Sequence, residues 1–293
     1  MEIRTLKYFL AIAEAESFSA AGQNVLFVTQ PTLSRQMQEL EEELGVKLFY
    51  RAGQKTLLTQ EGIRFKQRAE EIMTLVKRTE QEFSFSKDEE IAGDIYIGCA
   101  ETEGMRKVIR IIKNLQSQFP KIRIHLYSGN ASNVSEKLDQ GILDFGVLLT
   151  SANFFKYNFL NLSERDVWGL LVRKDHPLAQ KESITPDDLL DVPLIVSQQS
   201  MQFKDFSGWL GRDLDSLHVV ASYNLIFNAA LMVDEALGVA ITLDKLVHTS
   251  ENSRLCFRPF SPKQETELQL VWKKQQAMSK VCEIFLDAFR KWS

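Results

Sequence analysis

The sequence predicts a chain that is α/β overall and built in three parts: a small N-terminal domain of helices with one hairpin, a long helix, and a larger domain of two doubly wound lobes. Three observations predict it. Up to about residue 45 the apolar residues recur at helical spacing; from about residue 60 a long stretch carries one narrow apolar stripe; beyond Gly93 short β-rich runs alternate with amphipathic helices.

Residues 3–15 place Leu6, Phe9, Leu10 and Ala13 on one helical face. Ser17 or Ser19 caps a second short helix through Ala20, Ala21 and Val25, and a brief turn at Phe27 and Val28 delivers the chain to Thr29. Thr29 suits an N-cap, Pro31 suits a first turn, and Leu33, Met37, Leu40 and Leu44 form a stripe that Gly45 ends. Gln30, Thr32, Ser34, Arg35 and Gln38 are left facing outward. Those side chains hydrogen-bond base edges and phosphates, the alternative being an ordinary solvated helix face. Lys47 to Arg51 and Thr56 to Leu58 read as two strands joined through Gly53, a hairpin whose tip carries Arg51, Gln54 and Lys55. Three helices followed by such a hairpin make an all-α winged helix-turn-helix over residues 1–62.

Thr59 caps a helix from Gln60 to about Lys87, with Phe65, Ala69, Ile72, Val76, Thr79 and Phe83 repeating at alternating spacings of four and three. That 3.5-residue period marks a coiled-coil seam, so residues 63–90 read as a linker and dimerisation helix; the alternative is a helix packed on its own domain. A two-fold dimer would present two reading helices to an inverted repeat in double-stranded DNA.

From residue 91 the strands Ile95–Cys99, Ile122–Tyr127 and Asp144–Leu149 alternate with helices through Met105 to Leu115 and after Ser132. A second unit follows. Its strands are Val167–Arg173, Leu194–Ser197, His218–Ser222 and Val239–Leu243, with helices after Thr185, over Lys204–Leu210 and over Leu225–Leu237. A last strand, Thr266–Trp272, and a helix, Lys280–Trp292, return to the first unit. Lobe I is then 91–162 with 267–293, and lobe II is 163–266. In such sheets ligands bind beyond the carboxyl ends of the strands, which nominates Thr102, Ser128, Asn130, Ser197, Gln198, Gln199 and Thr242. Helix N-termini nearby favour an anion, while Glu101 and Glu103 argue for a neutral or cationic ligand.

Composition excludes several classes. With 44% hydrophobic and 25% charged residues, no apolar run long enough to span a membrane and no secretory leader, a cytoplasmic chain is expected, with no membrane partner. Three dispersed cysteines and four scattered histidines predict neither disulfides nor a metal site. Cys99, at a strand end, is a weak redox candidate. The net charge of -4, with six basic against eight acidic residues in the first 62, predicts modest nonspecific DNA affinity and a shallow salt dependence.

The motifs "LKYFLAIAEAESFSAA", "TQPTLSRQMQELEEELGVKLFYR", "LLTQEG", "GDIYIG", "VRKDHPLA" and "GVAITL" together resemble the LysR-type transcriptional regulators over essentially the whole length. The resemblance implies a winged helix-turn-helix, a dimerising linker helix, and an effector domain similar to periplasmic solute-binding proteins. It also implies tetramers, DNA bending and promoter control by a small molecule, with RNA polymerase as a candidate partner and no cofactor. Carried over by position, Gln30, Pro31, Thr32, Ser34 and Arg35 meet DNA through the helix and Arg51 through the wing. The chain departs from the family pattern in three places: one extra residue between Phe18 and Thr29, Gln54 where the wing commonly has Arg or Lys, and Leu243 in place of a common Pro. No phosphate loop, metal pair or catalytic triad is evident, so an enzyme or a solute binder with an accessory helical domain is the competing class. A regulator whose ligand domain only assembles the oligomer is a third.

Overall fold

The computed structural model describes residues 1–83, 91–149, 156–203, 206–275 and 277–291. They divide into two compact units, Met1–Asp88 and Glu89–Ser293.

In the first unit α1 (Ile3–Ala15) buries Leu6, Phe9 and Ile12, and Ser17 caps the short α2 (Phe18–Ala20) by accepting from the Ala20 N–H. The chain then widens into a π-turn, Ala21–Leu26. A π-turn holds one more residue than an α-turn, so it absorbs the extra residue that the sequence carries here. Gly22 makes that turn possible: a Cβ on it would stand 2.5 Å from the Val28 carbonyl oxygen. α3 (Gln30–Leu44) follows, burying Leu33, Met37 and Leu40 and ending at Gly45 with φ +70°. Two expectations are corrected. Leu44 is exposed, and the Thr29 hydroxyl meets the Thr32 hydroxyl at 2.8 Å instead of capping a backbone N–H.

β1 (Phe49–Ala52) and β2 (Lys55–Leu58) form an antiparallel hairpin with Gly53 and Gln54 at its turn. Lys47 lies outside it. Glu41, from the acidic end of α3, fixes the entry to the hairpin by accepting from the Leu48 and Phe49 N–H groups at 2.8 and 3.2 Å. α4 (Gln60–Phe83) starts where the Thr59 hydroxyl accepts from the Gly62 N–H. Its expected extension to Lys87 lies outside the described residues, as does the Phe83 side chain.

The seam expected on α4 is also corrected. Ala69 is fully buried in the unit's own core, Phe65 packs edge-on against Phe9 at 4.8 Å, and Ile72 lies against the same cluster. A small domain of three short helices needs a fourth wall for its core, and the first half of α4 supplies it. Val76 remains half-buried and Thr79 exposed, while Ile63 and Leu75 are exposed apolar residues on the same helix.

In the second unit β3 (Ala92–Cys99), α5 (Met105–Gln118), β4 (Lys121–Ser128), α6 (Ala131–Asp139) and β5 (Phe145–Leu149) make the expected parallel βαβαβ. Next comes β6 (Tyr157–Arg173), a strand of 17 residues where only Val167–Arg173 was expected. β7 (Leu194–Ser197), α7 (Gln198–Phe203), α8 (Ser207–Leu210), β8 (Val219–Tyr223), α9 (Ile226–Asp234) and β9 (Val239–Leu243) build the second lobe. β10 (Leu255–Pro259), absent from the sequence reading, precedes β11 (Glu265–Lys273) and α10 (Lys280–Arg290). The strands run β4-β3-β5-β11-β6-β9-β7-β8, with β10 on β6.

β6 belongs to both lobes. Its first part pairs antiparallel with β11 in lobe I, and Trp168–Leu171 pair with β9 in lobe II. The crossing near Leu162 is thus made inside one strand. Three helix starts shift as well. Asn130, not Ser132, caps α6; the segment after Thr185 is a single 3-10 turn, Pro186–Leu189; and α7 begins at Gln198, with Lys204 outside the described residues.

Candidate DNA-binding surface and effector cleft

The outward face of α3 carries the expected polar row, and its members pair down their own helix. Gln30 Nε2 donates to Ser34 Oγ at 2.7 Å, Arg35 Nε to Glu39 Oε1 at 2.8 Å, and Gln38 Nε2 to Glu42 Oε1 at 2.9 Å. These are i,i+4 pairs, each worth a few tenths of a kcal/mol on an exposed helix. Pro31, Thr32 and Arg35 are exposed, Arg35 at 81% of its side chain. Glu39 raises the Arg35 pKa further above its ordinary value. At the hairpin Arg51 and Gln54 are exposed, whereas Lys55 reaches back to an ion pair with Glu16. Lys47 is likewise held by Glu41 at 2.6 Å. The candidate cations therefore do not merge into one basic surface. Arg35, Lys47 and Lys55 each sit against an acid.

The second site lies where the strand ends of the two lobes face each other. Asn130, Ser197, Gln199 and Thr242 line it, together with Glu101 and Tyr223, which the sequence reading did not nominate. Thr102 does not line it: the residue is buried, donates to Asp166 and accepts from the Gly104 N–H at 3.0 Å. Ser128 and Gln198 are exposed and also lie off this lining. Asn130 and Ser197 serve in addition as caps, accepting from the Asn133 and Ser200 N–H groups.

Among the described residues, Asn224 Nδ2 donates across the cleft to Asn133 Oδ1 at 3.4 Å, and a pair of shorter bonds crosses in opposite senses. Glu101 Oε2, from lobe I, accepts from the Ile226 N–H at 2.7 Å and so caps α9 in lobe II. Gln199 Oε1, from lobe II, accepts from the Ala131 N–H at 2.9 Å and caps α6 in lobe I. The N-termini of α9 and α6, which would offer N–H groups to an anion, are thus each met by an acceptor from the opposite lobe. The remaining space is about 60 Å³, on the scale of a few waters and well below the roughly 300 Å³ at which metabolite pockets begin. The signal for Glu101 was its place just after β3; its reach across the cleft depends on how the lobes fold together.

Burial shifts the titratable groups at and behind the cleft toward their neutral forms. Burial pushes the Tyr223 phenol well above its ordinary pKa, and its hydroxyl donates to the Ile241 carbonyl at 2.7 Å. Burial also pushes the Asp166 carboxyl up, against the hydrogen bond from Thr102. The Cys99 thiol is raised by burial as well, and Cys99, Cys256 and Cys282 are all buried thiols.

A family model described as LysR substrate binding domain matches residues 88–293, and one described as bacterial regulatory helix-turn-helix protein, lysR family, matches residues 3–63. The chain belongs to the LysR family. Among its relatives, the hydrogen peroxide-inducible genes activator of Dickeya chrysanthemi is 28% identical, covering 99% of this chain and 95% of its own. The regulator YvbU of Bacillus subtilis, itself uncharacterized, is 29% identical over 98% of this chain and 97% of its own. OxyR of Escherichia coli, a DNA-binding transcriptional dual regulator, is 30% identical over 83% of this chain and 78% of its own. Full-length CbnR solved with its target DNA superposes with TM-score 0.73 at 20% identity, each chain covered fully. Full-length BenM superposes with TM-score 0.55 at 23% identity, over 100% of this chain and 96% of its own. At those identities the structural likeness speaks for the fold. This LysR-family chain is a DNA-binding transcriptional regulator with a substrate-binding domain, and none of its described helices is long and apolar enough to cross a membrane.

Proposed function

We propose that residues 1–62 bind an inverted-repeat operator as a symmetric pair, with Gln30, Thr32, Ser34 and Arg35 reading the major groove and Arg51 and Gln54 lying along phosphates. The observation that carries this reading is the row of polar side chains on α3, with Thr32, Arg35 and Gln38 exposed, Gln30 and Ser34 half-buried, and the hydrogen bonds of Gln30, Arg35 and Gln38 running along their own helix. They hold nothing else in place, so the fold gives no reason for them. Residues 63–90 link this domain to the effector domain, 91–293, and pair the copies through the part of α4 that the core leaves outward: Leu75, Val76 and Thr79. Exposed apolar residues at both edges of the large sheet support a further association. Ile109 and Leu126 stand on α5 and β4 at one edge, and Val220, Phe227 and Leu231 on β8 and α9 at the other. Two antiparallel copies would cover both sets, which fits a tetramer built as a dimer of dimers.

The effector is a small molecule bound between Glu101, Asn130, Ser197, Gln199 and Thr242 after the lobes part. Its binding shifts the promoter-bound state, and contact with RNA polymerase follows from where the operator lies. The hydrogen peroxide-inducible activation for which several relatives are named does not transfer through Cys99, because a reactive cysteine needs an accessible thiolate and burial opposes one there. The test is footprinting of the full-length protein on the promoter of its own gene. Gln30→Ala and Arg35→Ala should each weaken protection by roughly five- to 150-fold, the range for a lost base contact. Protection unchanged by both would remove α3 from the interface.

A further inference from the structure

Among the described residues of the first unit the most exposed aromatic is Phe27, 86% exposed, two residues before the N-cap of α3. The other phenylalanines on the three N-terminal helices and the hairpin, Phe9, Phe18 and Phe49, form one ring cluster inside. Phe27 is also held in the left-handed backbone region, at φ +54°. Bulky side chains rarely adopt that region, and when they persist there the surroundings hold them. Here the holding is visible: the Phe27 and Val28 N–H groups both donate to the Gly22 carbonyl, closing the π-turn that carries the extra residue. The chain thus fixes an apolar ring in water, at the expense of local backbone strain, beside the helix that reads DNA.

In a docked helix-turn-helix, the N-terminal residues of the recognition helix enter the major groove while the helix before it crosses the sugar-phosphate backbone. The turn between the two lies at the groove wall, where deoxyribose is the apolar surface on offer. We propose that the Phe27 ring packs on a deoxyribose of that wall, as an uncharged contact that seats α3 in register. The inference rests on α3 being the recognition helix and names a contact that this reading does not contain.

The experiment is a fluorescence-anisotropy titration of the full-length protein on two duplexes: a site selected by the wild-type protein from random sequence, and its scrambled counterpart. Phe27→Ala should weaken binding about tenfold on both, with the slope of log K against log salt unchanged, since the lost contact is apolar and carries no sequence information. Phe27→Asn, whose side chain suits the left-handed region, should lose the same affinity while the melting temperature stays level or rises, which excludes misfolding as the cause. If Arg35→Ala abolishes binding and Phe27→Ala does not alter it, the contact is refuted and the recognition helix stands. If neither matters, both fail. A loss confined to the selected site, and erased when its thymines are replaced by uracils, would assign the ring to a thymine methyl and overturn the sugar contact.

Discussion

Removing the Glu101 carboxylate should open the cleft, and the size of the effect follows from what it holds. Glu101 supplies the acceptor for the first N–H of α9, a helix whose own N-cap position is Leu225 and offers no side-chain acceptor. A hydrogen bond to an ionised acceptor contributes about 1.5–3 kcal/mol, and the helix dipole adds to it. At about 2 kcal/mol the closed arrangement loses a factor of roughly 30 against the open one. Amide exchange followed by NMR reads this at two places. In Glu101→Ala the Ile226 N–H should exchange about 30 times faster. The Ala131 N–H, capped by Gln199 on the other side of the cleft, should accelerate with it, because both bonds break when the lobes part. Glu101→Gln keeps a neutral acceptor and should fall between the two. Faster exchange at Ile226 with Ala131 unchanged would mean local fraying of α9, and no change at either would refute the latch.

Gly22→Ala places a methyl group 2.5 Å from the Val28 oxygen, a backbone atom that cannot swing aside. It should cost on the order of 1–3 kcal/mol, read as a lower melting temperature of the N-terminal unit together with weaker DNA binding. Asp166→Asn should stabilise the effector domain in a pH-dependent way. The folded carboxyl has a raised pKa, so the native state binds more protons than the unfolded state once the pH passes the ordinary carboxylate value, and stability falls as pH rises. The variant lacks that fall. Its advantage in chemical denaturation should vanish below about pH 4 and be largest at neutral pH, on the order of 1 kcal/mol; an advantage independent of pH would refute the cause. Glu39→Gln removes the acid beside Arg35 and should steepen the salt slope of DNA binding by up to about 1, with tighter nonspecific binding at low salt.

What the sequence made legible was whatever local periodicity encodes. The stripe Leu33, Met37, Leu40 and the parallel βαβαβ were readable because each depends on spacing within one element. β6 was half missed because its pattern serves two environments in turn, pairing with β11 and then with β9 and β10, so no single alternation runs its length. The seam of α4 was readable as a stripe but not as to its partner. Periodicity says that Phe65, Ala69 and Ile72 face one way, and only the fold says that α1 stands there. The cleft divides along the same line. Asn130, Ser197, Gln199 and Thr242 follow from the rule about strand ends, while Glu101 and Tyr223 enter through the approach of the lobes.

Both proposed recognition surfaces carry hydrogen bonds made within the chain. On α3 the groups suited to DNA are bonded to Ser34, Glu39 and Glu42; in the cleft the helix N-termini suited to a ligand are bonded to Glu101 and Gln199. Binding at either place is therefore an exchange of partners, and its net gain is the difference between two sets of hydrogen bonds. A wrong base or a wrong metabolite that fails to replace even one of the surrendered bonds leaves a group unpaired, which costs more than the bond itself would have gained. That asymmetry favours discrimination over raw affinity, the property a promoter switch needs when nonspecific DNA is in large excess. The net charge of -4 and the acid beside Arg35, Lys47 and Lys55 act in the same direction, since they hold down the attraction to DNA of any sequence.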